Sequence, residues 1–223
     1  MLMIKESFDG NAIIISQGKI TDVPNIALLF TECFKDSVLH HCGGRLPKAK
    51  AMEDVFLLVY EAEPKAALLA CNTDGQCLGY CFAPTQLSRL WLKAIWGGHL
   101  LKWIWRWLTG QYGFGLHPVK IIIMNKLAFL QSALRPAKAA NARILSIAVA
   151  HEARGQGIAS KLMAAAMDYF KTQHVAKVRL EVRPDNYPAI KVYEKWGFTK
   201  EGYTADSQGK WLIMFKEMEQ GNV

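Results

Sequence analysis

The sequence contains no aspartate or glutamate between Asp74 and Glu152. The net charge of +8 is therefore unevenly distributed, and the rest of the chain is close to neutral. A protein that is basic throughout often binds nucleic acid, whereas one basic segment indicates a local role. We therefore expect no nucleic-acid partner. The basic residues of this interval are Arg89, Lys93, Lys102, Arg106, Lys120, Lys126, Arg135, Lys138 and Arg143.

The sequence also lacks cysteine and histidine spacings that would hold a metal. Its five cysteines form no C-x-x-C pair, so we expect reduced thiols and no metal site. The adjacent residues His40, His41 and Cys42 do not converge easily on one ion. The N-terminus has neither the basic start nor the long apolar core of a signal peptide, which predicts a cytoplasmic protein.

With 51% hydrophobic and 21% charged residues, the composition is that of a globular protein. We expect one domain, residues 1–223, with an insertion at about 85–142. The predicted elements are strands at 12–17, 66–72, 77–83, 144–150, 178–182, 198–204 and 210–216, and helices at about 21–34, 48–62, 158–170 and 186–196, with a loop at 40–44.

The most informative stretch is residues 143–161, which predict a strand, a glycine-containing turn and the start of a helix. The apolar run 144–150 is interrupted only by Ser146, and Gly155 and Gly157 follow it. At a helix N-terminus, unpaired N–H groups and the helix dipole favour an anion, and glycine allows a phosphate to approach the backbone. This stretch therefore predicts an anion site.

The insertion carries five tryptophans and is divided by Gly97-Gly98 into two short helical segments. The spacing places Arg89 and Lys93 on one face of the first segment, and Lys102 and Arg106 on one face of the second. Residues 85–142 contain no uncharged run of about 18 residues, which argues against a spanning helix. Three interpretations remain: tryptophans packed on the domain or on a second subunit, a peripheral membrane contact through residues 87–110, or a lid over an apolar ligand.

Two motifs resemble those of the GCN5-related N-acetyltransferase (GNAT) superfamily. Arg154-x-x-Gly157-x-Ala159 fits the pattern Q/R-x-x-G-x-G/A, and a second signature, N-x-x-A-x-x-x-Y-x-x-x-G-F, begins at Asn186. The text Leu-Glu-Val-Arg at 180–183 is similar to that of the ribosomal-protein N-terminal acetyltransferases. The resemblance covers residues 143–215 clearly and implies an α/β fold with a GNAT-like mixed, twisted and splayed β-sheet and helices on both faces.

The resemblance implies acetyl-CoA as co-substrate and a primary amine, on a small molecule or a protein, as acceptor. The pyrophosphate of acetyl-CoA is expected to bind at the turn and the helix start. Its pantetheine arm is expected to pair with the backbone of the preceding strand. The basic, tryptophan-rich insertion favours an acceptor that is apolar, acidic or membrane-associated. The implied binding residues are Ile147, Ala148, Val149, Arg154, Gly155, Gln156, Gly157, Ile158, Ala159, Ser160 and Asn186.

For catalysis, an attacking amine must be neutral and the departing CoA thiolate benefits from a proton. Tyr193 matches the family's tyrosine near the thiol and is the expected general acid. Glu181 occupies the position of a glutamate implicated as the base in the ribosomal-protein acetyltransferases, although it could equally be a structural carboxylate. His99 and His117 could reach the site only through closure of a lid.

The resemblance favours direct transfer in a ternary complex, with the oxyanion stabilised by strand amides, and no cysteine intermediate. Two alternatives remain open at this point. One is the use of a longer acyl-CoA, as in some members of the superfamily, and the other is a non-catalytic acyl-CoA-binding or membrane-surface module on the same fold.

Overall fold

The computed structural model describes residues 4–6, 12–113 and 140–219. Within these ranges the chain forms nine strands and seven α-helices. The strands are β1 Ile4–Glu6, β2 Ile13–Gln17, β3 Ala67–Cys71, β4 Cys77–Phe82, β5 Ala142–Ile144, β6 Ser146–Val149, β7 Lys177–Val182, β8 Thr199–Asp206 and β9 Gly209–Glu217. The helices are α1 Val23–Cys33, α2 Lys35–His41, α3 Ala49–Ala62, α4 Ser88–Trp96, α5 His99–Leu108, α6 Ile158–Thr172 and α7 Tyr187–Lys195.

The described strands form two sheets, in the orders β1-β2-β3-β4-β6 and β5-β7-β9-β8. Only β5 and β7 pair in parallel; every other pairing is antiparallel. The chain runs from β5 through β6 and α6 to β7, which lies beside β5 and parallel to it. The mixed, splayed sheet is confirmed.

The splay begins at Leu145, where the predicted strand 144–150 is divided between the two sheets. Arg143 and Leu145 donate backbone hydrogen bonds to Pro84 (2.9 Å) and Phe82 (2.8 Å), whereas Ala150 donates to Leu78 (2.8 Å). The register of the pairing with β4 thus shifts by one residue after Leu145, as in a β-bulge. A bulge bends the strand and increases its twist.

Helices pack on both faces of the first sheet. Alternate residues of β4 point toward opposite faces and contact different helices. The rings of Tyr80 and Phe82 pack on Phe56 of α3, with centroids 5.8 and 5.6 Å apart. On the other face, a Cβ on Gly79 would meet Ile158 and Leu162 of α6 at 3.2 and 3.3 Å. The core is therefore continuous through the sheet.

Most predicted elements are present, but two local details differ. The loop expected at 40–44 begins inside α2, which includes both His40 and His41. Asp22 stands at the N-cap position of α1, but its carboxylate accepts the N–H of Lys19 at 2.7 Å, within a preceding 3₁₀ turn, and does not cap the helix. The carboxylate of Asp22 therefore stabilises the adjacent turn.

The insertion forms the two predicted helices, α4 and α5, and their basic side chains turn inward onto α3. Lys102 and Arg106 reach Asp54, at 3.5 Å for the lysine. Lys93 pairs with Glu61 at 3.2 Å. Arg89 lies 3.5 Å from Glu63, which also lies near the end of α3. Each buried carboxylate must be paired, so these contacts determine which face of the helices turns inward.

Three of the five tryptophans of the insertion consequently lie on the outside, whereas Trp103 and Trp107 are half-buried. Trp91, Trp96 and Trp105 are exposed, so the prediction that the tryptophans pack on the domain is wrong for these three. Among the helices that the structure describes, none is long and apolar enough to cross a bilayer. His117 and the apolar run 119–124 lie outside the described residues.

Candidate functional site

The turn before α6 presents an open cluster of backbone amides. Gly155 and Gly157 have φ values of 79° and 75°, a conformation that favours glycine. A Cβ built on either glycine would meet nothing within 4 Å, so the space in front of the turn is free. In the chain that follows, Lys161 donates to the carbonyl of Gly157 at 3.1 Å, which leaves the three preceding amides without a helical acceptor. These amides, of residues 158–160, and the helix dipole suit an anion such as a pyrophosphate.

The strand β6 has an unpaired edge directly before this turn. Pairing of β5 with β7 ends at Ile144 and Leu180, whereas β6 stays paired with β4 as far as Val149. Because Ala150 donates to β4, the alternation of an antiparallel ladder directs the backbone groups of Ile147 and Val149 toward the gap beside β7. Ala148 pairs with Tyr80, so its backbone groups turn away from the gap.

Two side chains already contact this unpaired edge. The Val149 carbonyl accepts from Nε of Arg154 at 3.3 Å and from Sγ of Cys33 at 3.5 Å. Burial raises the pKa of the Cys33 thiol, an effect that Arg154 partly opposes, so the thiol stays a neutral donor. Cys33 was not identified from the sequence, because nothing in the pattern of α1 relates its last residue to a strand more than a hundred residues later.

Tyr193 is buried in α7, with its ring 6.2 Å from that of Phe198. Burial, with a smaller contribution from nearby Cys81, raises the pKa of its hydroxyl well above the ordinary tyrosine value. Cys81 is also the register partner of Ile147 in the strand pair that borders the gap. The hydroxyl is therefore protonated throughout the neutral range.

The second signature has a structural explanation around Tyr193. Oδ1 of Asn186 accepts the N–H of Ala189 at 3.3 Å and caps the start of α7, as predicted. At the other end Gly197 has φ 79°, and Phe198 donates to the carbonyl of Tyr193 at 3.0 Å. These bonds form the helix termination in which glycine is favoured. The signature thus fixes both ends of the helix that carries Tyr193.

Glu181 lies on β7, one residue beyond the last pairing with β5, and thus at the fork of the two sheets. Its carboxylate is held by two arginines: Arg143, with Nη1 at 3.2 Å, and Arg179. Both contacts are charge-assisted hydrogen bonds in which a guanidinium group donates to the carboxylate. This geometry is compatible with either of the roles that the sequence left open for Glu181, base or structural carboxylate.

The histidines considered from the sequence have local partners. His99 is buried in α5, with Nε2 3.2 Å from Glu61, on the inner side of the insertion. His40 hydrogen-bonds Ser207, and His41 hydrogen-bonds Gln208 at 3.0 Å, so both tie α2 to the turn between β8 and β9. Within the described ranges, no group of three or more metal-ligating side chains comes together.

A mixed sheet that splays beside an anion-accepting helix N-terminus is the architecture expected of the acetyltransferase superfamily. A profile described as the Acetyltransferase (GNAT) family matches residues 40–198. Since this match spans more than half of the sequence, the chain belongs to that family. The assignment predicted from the two motifs is thus confirmed.

Two curated relatives show where the sequence similarity lies. An N-alpha-acetyltransferase of Saccharolobus solfataricus is 41% identical over 83 residues, covering 35% of this chain and 50% of the relative. A putative ribosomal protein bS18-alanine N-acetyltransferase of Bacillus subtilis is 34% identical over 79 residues, covering 34% and 52%. The chain spans about half the length of these curated relatives.

Solved structures resemble the chain over almost its whole length. SsHAT covers 93% of this chain and 98% of its own, with a TM-score of 0.65 and 18% identity. Ard1 from Thermoplasma volcanium gives a TM-score of 0.55 at 17% identity, covering 93% and 98%. At such identities the likeness shows the fold alone.

Proposed function

We propose that this protein is an acetyl-CoA-dependent N-acetyltransferase that transfers an acetyl group to a primary amine by direct attack in a ternary complex. The observation that carries the proposal is the continuity of two open surfaces on one strand–turn–helix. The edge of β6 offers unpaired backbone groups, and the start of α6 offers unpaired amides. Acetyl-CoA has a pantetheine arm for the first surface and a pyrophosphate for the second.

On the donor side, the backbone from Gly155 to Ser160 would bind the pyrophosphate, and Arg154 would supply positive charge. Ile147 and Val149 would pair with the pantetheine amides, while Ala148 would contribute only its side chain. Because Arg154 and Cys33 occupy the Val149 carbonyl, the arm would share that acceptor or displace them. Asn186 would act through the cap that positions α7.

For the transfer step, Tyr193 would donate its proton to the departing thiolate, since burial keeps the hydroxyl protonated. Unpaired N–H groups on the edge of β6 would stabilise the oxyanion. Glu181 is the proposed base, provided that its two arginines leave one lone pair free for the ammonium proton of the acceptor. No step in this scheme requires a metal or a covalent cysteine.

The acceptor that we favour is the α-amine of a protein N-terminus. The text Leu-Glu-Val-Arg at 180–183 and the names of the two curated relatives support this class over a small amine.

All five cysteines are free thiols, which is consistent with the reduced environment of the proposed cytoplasmic location.

The test is the substitution Tyr193→Phe, with Tyr187→Phe as the matched control. Tyr187 lies in the same helix but is 69% exposed. Release of CoA should be measured with acetyl-CoA and a panel of N-terminal peptides, lysine peptides and small amines. We expect Tyr193→Phe to lower kcat about 100-fold, while the thermal stabilisation by CoA stays unchanged and the control keeps full turnover.

The other possible results separate the competing hypotheses. Binding of CoA without turnover on any acceptor would support a non-catalytic acyl-CoA-binding module. Turnover with longer acyl-CoA thioesters, but not with acetyl-CoA, would show that the donor is a longer acyl-CoA. If CoA gives no thermal stabilisation at all, the proposed donor site is wrong.

A further inference from the structure

The outer side of the α4–α5 hairpin is an apolar surface with no cover in the described structure. We call it the hairpin face. Trp96 is 85% exposed and Leu101 is 75% exposed, values that are unusual for side chains of this size. The hairpin face consists of Trp91, Leu92, Ile95, Trp96, Leu101, Ile104, Trp105 and Leu108.

The hairpin is held with this face outward by charges on its inner side. Four cations of the hairpin contact the carboxylates of Asp54, Glu61 and Glu63. Asp54 and Glu63 are almost fully buried, so turning the hairpin over would remove the cations that pair with these buried carboxylates. The exposure of the apolar side is therefore imposed by the packing of α3.

The apolar area of the hairpin face is larger than that of the apolar patches usually found on soluble monomers. Aromatic side chains of this class bury about 150–250 Å² each, so three mostly exposed tryptophans alone present roughly 300–500 Å² of apolar area. With the five aliphatic side chains added, the patch exceeds the few hundred Å² that soluble monomers usually expose. Patches of that size mark an interaction surface.

The hairpin face lies away from the proposed pyrophosphate site. Arg89, at the start of α4, contacts Glu63, and Glu63 also accepts the hydroxyl of Tyr169 at 2.6 Å. Tyr169 is in the last turn of α6, about 16 Å along the helix from the open amides at Ile158. An occupant of the hairpin face therefore does not need to displace a ligand from the turn.

We propose that the hairpin face docks on the surface of a lipid bilayer, with α4 and α5 lying in the interfacial plane. Tryptophan and leucine on one side of short helices are the composition of interfacial helices, since the indole ring sits at the level of the headgroups. Partly exposed cations border the face: Arg89, Lys93 and Lys102, whose side chains are 39–48% exposed.

Charge favours lipid over a second copy of this chain. Neither helix contains a carboxylate, and the acids that pair with these cations lie on the inner side, so a symmetric contact would bring the partly exposed cations of two hairpins together. Anionic headgroups instead complement these borders. Because each cation is already paired with α3, the attraction is expected to be mainly apolar and to persist at high salt.

The full chain should be sedimented with vesicles of phosphatidylcholine and with vesicles that also contain phosphatidylglycerol. The test variant combines Trp96→Gln, Leu101→Gln and Trp105→Gln. The matched control combines Ile20→Gln, Leu28→Gln and Tyr203→Gln, which removes three apolar side chains of 53–64% exposure elsewhere on the surface. We expect the test variant to partition at least about tenfold more weakly than wild type, and the control to partition like wild type.

Several outcomes would overturn the proposal. The proposal is wrong if the wild-type protein stays in the supernatant with both kinds of vesicle. It is also wrong if the two variants lose the same amount of vesicle binding. Binding that disappears at high salt would indicate a purely electrostatic attraction. If the wild-type protein is a dimer that does not bind vesicles, and the test variant is a monomer, the face is assigned to self-association.

Two further measurements keep the test independent of variant folding and of catalysis. The unfolding midpoints of both variants should match wild type, since the substituted side chains are exposed. If the test variant does not fold, quenching of wild-type tryptophan emission by brominated phosphatidylcholine still decides the matter, and its absence contradicts insertion. Neither readout depends on turnover or CoA binding, so failure here is distinguishable from failure of the proposed enzyme function.

Discussion

Arg106 of α5 places Nη1 against both carboxylate oxygens of Asp54 in α3, a side chain only 1% exposed. The hydroxyl of Tyr112 donates to the same carboxylate at 2.8 Å, and Lys102 lies 3.5 Å away. One buried anion in the helical layer thus holds three side chains of the insertion. This contact attaches the hairpin to the domain and determines which side it exposes.

The substitution Asp54→Asn should therefore destabilise the protein strongly. It leaves the guanidinium of Arg106 in a partly buried position without its counter-charge, and breaking such a pair costs about 3–5 kcal/mol. The control is Glu53→Gln, since Glu53 lies in the same helix, is more exposed and pairs with Lys50 at 2.8 Å. That change should cost about 1 kcal/mol or less. Urea unfolding measures both values, and equal losses would show that Asp54 has no special role.

The same carboxyl predicts a pH dependence of stability. Burial raises the pKa of Asp54, but the hydrogen bonds from Arg106 and Tyr112 and the charge of Lys102 outweigh it, so the pKa lies below the ordinary value of 3.8. A depressed pKa in the folded state gives stability that is present above the unfolded pKa and is lost as pH falls through the folded pKa. The free-energy difference between wild type and Asp54→Asn should be constant above about pH 5 and should shrink below about pH 4. A difference that stays constant down to pH 3 would contradict the prediction.

Gly157→Ala should weaken CoA binding without a steric clash inside the protein. Both Gly157 and Gly44 have a positive φ, of 75° and 80°, and a Cβ on either would meet nothing within 4 Å. Both substitutions should therefore cost about 1–2 kcal/mol of backbone strain. Only at Gly157 would the added methyl group stand in front of the open amides, where we expect roughly tenfold weaker binding of CoA. Titration calorimetry with CoA measures the difference; similar affinities for the two variants would place the pyrophosphate elsewhere.

The turn and the helix ends at the candidate site could be predicted from the sequence because their motifs are local. The Gly155–Gly157 turn and the caps at Asn186 and Gly197 follow from backbone requirements within a few residues. The bulge after Leu145 could not be predicted, because the apolar run 144–150 reads as one uninterrupted strand. The β6 edge becomes available through that bulge, so the geometry of the gap depends on pairing with two separate strands.

The orientation of the insertion was beyond prediction for a different reason. Helical spacing correctly placed Lys102 and Arg106 on one face of α5. Spacing alone cannot say which face turns inward. That choice depends on Asp54, about fifty residues earlier, whose burial becomes apparent only once α3 is packed.

The last prediction separates the two roles open to Glu181. If Glu181 is the base, Glu181→Gln should lower kcat/KM for the amine about 100-fold at neutral pH. Thermal stabilisation by CoA should then remain, because the turn at Gly155–Gly157 is untouched. If the carboxylate only holds Arg143 and Arg179, the same change should lower the unfolding midpoint and leave turnover nearly unchanged. The control is Glu194→Gln, which removes a surface partner of Lys200 at 2.9 Å and should alter neither quantity, since exposed pairs contribute little. A pH profile of kcat/KM completes the test: a base role requires the acidic limb of the wild-type profile to disappear in Glu181→Gln, and an unchanged limb would assign proton removal to another group.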